Sequence, residues 1–135
     1  MNTEKIVVVG SFNIDMVVRA DKLPAPGETI LGNDFFMNSG GKGANQVVAV
    51  SRLGKEKPVF IAKIGNDLLG KNAMEVLRAE NINTGYVFID PEIPTGVALI
   101  TVDKQGENSI VVASGANARL CIDCLLYTSD AADDT

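Results

Sequence analysis

The order of apolar patterns along the chain predicts an α/β protein. Residues 5–10, "KIVVVG", are a short β-branched run that ends in glycine, which is typical of a strand buried on both faces of a parallel sheet. Residues 43–53 are largely apolar and predict a buried helix, which Gly54 is expected to end as its C′ residue. Residues 58–65, "PVFIAKIG", then predict a second core strand, and residues 66–82 predict a second helix.

Two further stretches predict β-structure outside this alternation. Residues 21–38 carry proline and glycine around short β-prone pieces, which predicts a turn followed by one or two exposed strands. After Gly85 the pattern becomes purely β, with strands expected in "YVFID", "TGVALITVD" and "NSIVVASG" and a tight turn in "KQGE". These pieces predict a hairpin system, either at a sheet edge or as a small separate lid.

Length and composition restrict the possible function classes. The 135 residues, 46% of them hydrophobic, suit one domain with a buried core. A net charge of −5, with the twelve basic residues scattered, argues against nucleic-acid or anionic-membrane surfaces, so a small molecule is the expected partner. The chain contains no histidine, which excludes Ser-His-Asp, Cys-His and His-ligated metal sites within it. The apolar runs are too short for a signal-peptide core or a membrane span, and a cytoplasmic location is therefore expected.

The last segment, residues 121–135, differs from the rest of the chain. Its sequence, "CIDCLLYTSDAADDT", has no clear strand or helix period, and "LLYTSDAADD" resembles translated sequencing-adapter read-through. We therefore expect that the tail from about Cys121 is not native to the fold, with a frayed natural C-terminus as the alternative. Cys121 and Cys124 form a single C-x-x-C without further ligands, so no metal site is expected there.

The segment "NSGGKGANQ", residues 38–46, is a glycine-rich loop that leads into the first predicted helix. It fails the spacing G-x-x-x-x-G-K-[ST], because Phe36 stands at the first glycine position and Gly43 at the hydroxyl position. It also lacks the third glycine of G-x-G-x-x-G. What remains is a backbone that a ligand can approach, with Lys42 as a cationic donor and the Asn45 amide, which suits a polyhydroxylated molecule. The equal alternative is a glycine-rich connection in which Asn45 only satisfies backbone groups.

A second polar pair follows the first strand, in "GSFNID". If residues 12–15 are extended, Asn13 and Asp15 point to the same face, close to the carboxyl end of the strand, where α/β sheets bind ligands. A carboxylate that accepts from two adjacent hydroxyls is a common way to hold a sugar. The alternatives are that Asp15 is a turn residue or that it pairs with Arg19.

Together the two motifs resemble the ribokinase family of carbohydrate kinases, the PfkB type. The similarity runs from "VVVGSFNID" through "NSGGKGANQ" and "AKIGNDLLG" to "TGVALITVDKQGENSIVVASGAN", over about residues 5–119. It implies a Rossmann-like ribokinase fold, with the N-terminal part of the parallel sheet, its flanking helices and a small β-sheet lid. Within a unit of residues 1–120, the lid is expected from about residues 17–38 and 86–113. The resemblance also implies a homodimer in the parent protein, formed through the lid.

The resemblance implies ATP-dependent phosphorylation of D-ribose, with Mg²⁺ on the nucleotide and a monovalent cation such as K⁺ as activator. A fructokinase-like or nucleoside kinase is the alternative, although Lys42 favours ribose because those relatives usually carry another residue there. Ala98 and Ile100 would form an apolar wall on the lid side of the sugar, and Val112 would extend it. The alternative for Ala98 and Ile100 is that they belong to the ordinary strand core. The substrate-binding residues carried over are Asn13, Asp15, Gly40, Gly41, Lys42, Gly43, Asn45, Ala98 and Ile100.

The family's second signature, G-A-G-D, occurs nowhere in the 135 residues. In the family its aspartate is the catalytic base and its amides form the anion hole, and phosphoryl transfer depends on such positioning and charge stabilisation. We therefore expect no catalytic and no metal-binding residue in this chain, which would be the sugar-binding N-terminal part of a kinase. The catalytic base and the ATP site are expected in a missing C-terminal half, and the fragment alone is expected to be inactive. A non-catalytic sugar-binding or interaction module remains the competing hypothesis.

Overall fold

The computed structural model describes residues 5–126, which form two β-sheets with two α-helices, a short 3₁₀ helix and a helical turn at residues 122–126. That turn lies in the segment where the sequence showed no helix period, and the Leu125 amide donates to the Cys121 carbonyl at 3.3 Å within it. Residues 127–135 of the expected non-native tail lie outside the described residues. The elements in chain order are β1 (Val7–Val9), β2 (Asn13–Arg19), β3 (Asp34–Gly40), α1 (Lys42–Leu53), β4 (Val59–Gly65), α2 (Leu68–Ala79), β5 (Val87–Asp90), β6 (Val97–Val102), β7 (Asn108–Ala113) and the 3₁₀ helix (Gly115–Arg119).

Three strands form a parallel sheet in the order β1-β4-β5, which confirms the predicted α/β class. β4 is central, and all of its residues except Lys63 are buried. β1 differs from the prediction of a strand buried on both faces, because only Val8 is buried while Val7 and Val9 are 50% and 51% exposed. The reason is that β1 is an edge strand of this sheet and α1 packs against one of its faces only.

α1 begins directly after the glycine loop and buries Gly43, Ala44 and Val47. The prediction of a buried helix is correct for that face only, since Leu53 at the C-terminus is 88% exposed. Gly54 ends the helix as predicted, but with an extended backbone at φ −92° rather than the left-handed conformation of a C′ glycine. Its amide donates to the Val50 carbonyl.

α2 buries Ala73 and Leu77 on the predicted apolar stripe, with Leu69 partly buried beside them. Asp67 caps its N-terminus by accepting from the Gly70 amide at 2.8 Å. The helix therefore has a local start signal as well as a packing face. The shared core between the helices and the sheets contains Val8, Phe12, Ile14, Ala44, Val47, Phe60, Ala62, Ile64, Ala73, Leu77, Ile82 and Val87.

Four strands form a second sheet, the lid sheet, in the order β3-β2-β6-β7. β2 pairs antiparallel with β3 and parallel with β6, and β6 pairs antiparallel with β7. β3 is the single strand found in residues 21–38 and just beyond, and the predicted tight turn forms around Gly106, whose φ is +83°.

The lid sheet differs from its expected extent at two places. It begins at Asn13 rather than about residue 17, because β2 pairs along its whole length. Residues 87–90 were expected in the lid, but β5 pairs with β4 in the parallel sheet. A short apolar strand gives no local signal of which sheet it will join.

Candidate functional site

Asn13 and Asp15 lie at the start of β2, where the chain crosses from the parallel sheet into the lid sheet. Both are in extended backbone and point to one face of the strand, as predicted. Across the lid sheet Asn13 lies opposite Gly40, and Asp15 lies between Asn38 on β3 and Ala98 on β6. The register therefore brings the N-x-D motif beside the glycine loop. Asn38, which shares a face with Asp15, was not identified from the sequence.

The Asp15 carboxylate is packed against Gly40. A Cβ atom at Gly40 would lie 2.5 Å from Asp15 Oδ1, so any other residue there would displace the carboxylate from this position. Desolvation by burial raises the pKa of Asp15 above its ordinary value. Within residues 5–126 no donor is paired with this carboxylate, and Arg19 instead lies 5.4 Å from the centroid of the Phe36 ring. Both alternatives for Asp15, a turn residue and a partner of Arg19, are therefore wrong.

The glycine loop packs against the turn between β1 and β2. Gly41 has φ +98°, and a Cβ atom at Gly43 would lie 2.7 Å from Gly10 Cα and from the Ser11 nitrogen. The Ala44 amide donates to the Ser11 carbonyl at 3.0 Å, and no side chain caps α1. The glycines thus allow two backbone segments to meet, and the N-terminus of α1 lies beside the β2 polar residues.

Lys42 and Asn45 lie in the first turn of α1, and both are exposed. In the described part of the chain neither forms a hydrogen bond or ion pair with Asn13 or Asp15. The structure therefore brings Asn13, Asp15 and the glycines into contact, while these two side chains stand at the adjoining helix end.

The expected apolar wall lies on β6 and β7. Ala98 is 5% exposed and lies between Asp15 and Val112 in the register, and Ile100 is partly buried beside Val17. Because paired residues share a face of a sheet, Ala98, Ile100 and Val112 face the same side as Asp15. The alternative of ordinary strand core fits the burial of Ala98 and fits Ile100 only in part, while Val112 is 55% exposed.

Asn117, in the 3₁₀ helix, reaches the N-x-D motif from more than one hundred residues further along the chain. Its side chain bonds to the Phe12 backbone and to Asn13 Oδ1. Sequence analysis did not single it out, although an amide directly after a strand is the same signal that identified Asn13. Within residues 5–126 no three acidic or cysteine side chains are grouped so that they could hold a metal ion. Over the same residues no helix has the length and apolarity that a membrane crossing requires.

The chain is similar to carbohydrate kinases in its family match, in its sequence and in its structure. The model of the pfkB family carbohydrate kinases matches residues 3–133. A ribokinase from Mus musculus is 44% identical over 112 residues, which is 83% of this chain and 34% of that protein. The structure of a Giardia lamblia ribokinase superposes with a TM-score of 0.82 at 34% identity, covering 91% of this chain and 37% of that one. An Arabidopsis thaliana ribokinase complexed with ribose and ATP gives a TM-score of 0.77 at 36% identity, covering 84% and 36%. The chain therefore spans little more than a third of the length of these relatives.

Proposed function

The chain belongs to the pfkB family of carbohydrate kinases, and from this premise we propose that it is the sugar-binding part of a ribokinase. The parent enzyme would use ATP to convert D-ribose to ribose 5-phosphate. The observation that carries the proposal is the Asp15 carboxylate, which is partly desolvated against Gly40 and has no donor within residues 5–126. A carboxylate kept in this state is ready to accept hydrogen bonds from sugar hydroxyls.

The surrounding groups complement that carboxylate. Asn13, Lys42 and Asn45 carry N–H donors, while the glycines at 40, 41 and 43 keep the loop backbone within reach of the same space. The apolar side chains of β6 and β7 would cover the C–H face of the sugar. A site with donors, an acceptor and an apolar wall suits a small polyol.

We assign the phosphoryl-transfer step to the part of the parent protein that lies outside this chain. The described residues contain no acidic cluster suited to Mg²⁺, and the sequence contains no G-A-G-D segment. ATP, Mg²⁺ and an activating K⁺ are therefore proposed to bind mainly outside this chain. The contribution of this chain is to hold and orient the sugar, which is a large part of catalysis when transfer depends on positioning.

We also propose that the parent is a cytoplasmic homodimer that pairs through the lid. The face of the lid sheet opposite Asp15, here called the outer lid face, consists mainly of apolar side chains, and several are more than one-third exposed. A contiguous apolar sheet face of this kind favours burial against a second copy. The large apolar side chains of the outer lid face that are more than one-third exposed are Val18, Phe35, Met37, Leu99 and Val111.

The test is made on the complete reading frame that contains this chain. Asp15→Ala and Asn45→Ala are each expected to raise the KM for D-ribose on the order of 10-fold or more, because each removes a hydrogen-bonding group from the sugar. The KM for ATP should stay nearly constant. Matched controls are Asp21→Ala in the loop before β3 and Asn72→Ala on the exposed face of α2, which should leave both constants unchanged. An unaltered ribose KM in Asp15→Ala would refute the assignment.

Two measurements separate the alternatives. A fructokinase-like or nucleoside kinase would be stabilised against heat by its own substrate and not by D-ribose, because a ligand stabilises the state that binds it. A non-catalytic sugar-binding module would have a native stop codon near Leu120. An in-frame extension that contains G-A-G-D supports the kinase.

A further inference from the structure

We propose that Asn117 is a positioning residue that sets the direction in which the Asn13 amide faces the sugar. The inference rests on the proposed function of Asn13 and adds a residue for which neither the sequence motifs nor the comparisons indicate a role. Asn117 lies in the 3₁₀ helix Gly115–Arg119 at the edge of the candidate site. That helix is tied to the loop before β6, because the Ala116 amide donates to the Pro94 carbonyl at 2.7 Å.

The backbone of Phe12 fixes the orientation of the Asn117 side chain. The Phe12 amide donates to Asn117 Oδ1 at 2.9 Å, and Asn117 Nδ2 donates to the Phe12 carbonyl at 2.9 Å. A backbone amide can only donate and a backbone carbonyl can only accept, so the reverse orientation of Asn117 would lose both bonds. The oxygen and nitrogen of this side chain are therefore assigned by chemistry.

The same logic then fixes Asn13. Asn117 Nδ2 lies 2.8 Å from Asn13 Oδ1 and donates its second N–H to that oxygen. Only an oxygen of Asn13 can accept from it, so the amide nitrogen of Asn13 is left to face away from Asn117. Asn13 would thus offer the ligand N–H donors, while Asp15 two residues along offers only acceptors. One face of β2 acquires a defined donor and a defined acceptor for neighbouring hydroxyls.

Gly96 provides the space for this amide pair. A Cβ atom at Gly96 would lie 2.5 Å from Asn13 Oδ1 and would also overlap Asn117 Nδ2. The Gly96 carbonyl accepts from the Ile14 amide at 3.0 Å, which holds the β2 start against the same loop. The backbone of Phe12 and that of Gly96 therefore both lie against the pair, which limits its freedom to rotate.

A double-mutant cycle on the complete reading frame tests the proposal. Wild-type enzyme is assayed first, and failure to bind or phosphorylate D-ribose would reject the proposed function itself. Asn13→Ala and Asn117→Ala are each expected to raise the ribose KM by about 5-fold or more, with the ATP KM nearly constant. If Asn117 acts through Asn13, adding Asn117→Ala to Asn13→Ala should change the ribose KM by less than about twofold.

Two outcomes would overturn the inference in an active enzyme. One is that Asn117→Ala has the same ribose KM as wild type. The other is that Asn117→Ala raises the ribose KM by the same factor in the wild-type enzyme and in the Asn13→Ala variant. A purely structural residue would lower kcat and the melting temperature through loss of active protein, without a change in ribose KM. The matched control is Asn83→Ala, whose side chain accepts from the Gly85 amide in a turn remote from the site.

A second variant keeps the test decisive if Asn117→Ala does not fold. Asn13→Asp retains an oxygen that accepts from Asn117, so the hydrogen bonds to Phe12 and the melting temperature should be preserved. It removes the proposed donor, so the ribose KM should rise by about 10-fold or more. An unchanged ribose KM in Asn13→Asp would show that Asn13 does not donate to the sugar and would refute the proposal.

Discussion

β4 and β7 have similar local character but opposite surroundings. β4, "VFIAKIG", and β7, "NSIVVA", are both short and rich in β-branched residues, yet β4 is almost fully buried and all of β7 is exposed. The difference arises because β4 is the central strand of the parallel sheet and contacts α1, α2 and the 3₁₀ helix, whereas β7 is an edge strand of the lid sheet and neither of its faces is covered within residues 5–126. Strand propensity therefore explains why both segments are strands. The burial of β4 is explained by the elements of the fold that pack on it. The exposure of β7 requires a functional explanation.

The same contrast appears in two aspartates. Asp67 is partly buried, but its hydrogen bonds from Thr95 and from the Gly70 amide outweigh the desolvation and hold its pKa below the ordinary value. Desolvation raises the pKa of Asp15, which has no such donors within residues 5–126. A carboxylate with a full set of donors supports the fold. One without donors is available to a ligand.

The largest expected effect on the free energy of unfolding comes from replacing phenylalanine by alanine, and it should differ between the two sheets. Phe60→Ala in β4 removes a side chain with 0% exposure and should lower the free energy of unfolding by about 3 to 5 kcal/mol. Phe35→Ala in β3 removes a side chain that is 57% exposed and should cost less than about 1 kcal/mol. Urea unfolding of the 135-residue chain, at a protein concentration low enough to keep it monomeric, measures both.

An equal loss of unfolding free energy in Phe60→Ala and Phe35→Ala would contradict the contrast drawn between the buried parallel sheet strand and the exposed lid strand. It would mean that the outer lid face is covered in solution. Repeating the Phe35→Ala measurement over a range of protein concentrations would then show whether a second copy provides the cover, because dimer stability depends on concentration.

Two glycines give the next largest contrast. Gly43→Ala would place a methyl group 2.7 Å from Gly10 Cα, and the backbone shift should destabilise the chain by about 1 to 3 kcal/mol. Gly106→Ala in the lid turn meets nothing within 4 Å, so its cost should be only the left-handed backbone strain of about 1 kcal/mol. Denaturant midpoints compare the two, and a Gly43→Ala variant as stable as Gly106→Ala would show that the loop does not pack closely on the β1–β2 turn.

Sequence patterns predicted what depends on neighbours along the chain. The α2 stripe and the common face of Asn13 and Asp15 follow from side-chain period alone. The sheet of β5 and the role of Asn117 depend on partners 25 or more residues away, and no local pattern encodes them. The prediction that β1 is buried on both faces was wrong for a related reason. An apolar run of residues looks the same whether or not other elements pack on both faces of the strand.

The smallest expected effects concern Asp67 and Asp15, and pH distinguishes them. Asp67→Ala should destabilise the chain by about 1 to 2 kcal/mol at pH 7, because the N-cap of α2 and the bonds to Thr95 are lost. Asp15→Ala should leave the stability unchanged or raise it by less than about 1 kcal/mol, because it removes a desolvated charge without donors.

The pH dependence of these two variants has opposite signs. A carboxyl whose pKa is lowered by folding stabilises the fold above its unfolded pKa and loses that contribution as the pH falls through the folded pKa. The advantage of wild type over Asp67→Ala should therefore be complete near neutral pH and shrink below about pH 4. For Asp15, whose pKa is raised, the ionised form is the destabilising one, and any advantage of Asp15→Ala over wild type should shrink as the carboxyl is protonated. Unfolding free energies of the three proteins across acid pH check both signs, and a wild-type advantage over Asp67→Ala that grew with acid would show that Asp67 is not held ionised by its donors.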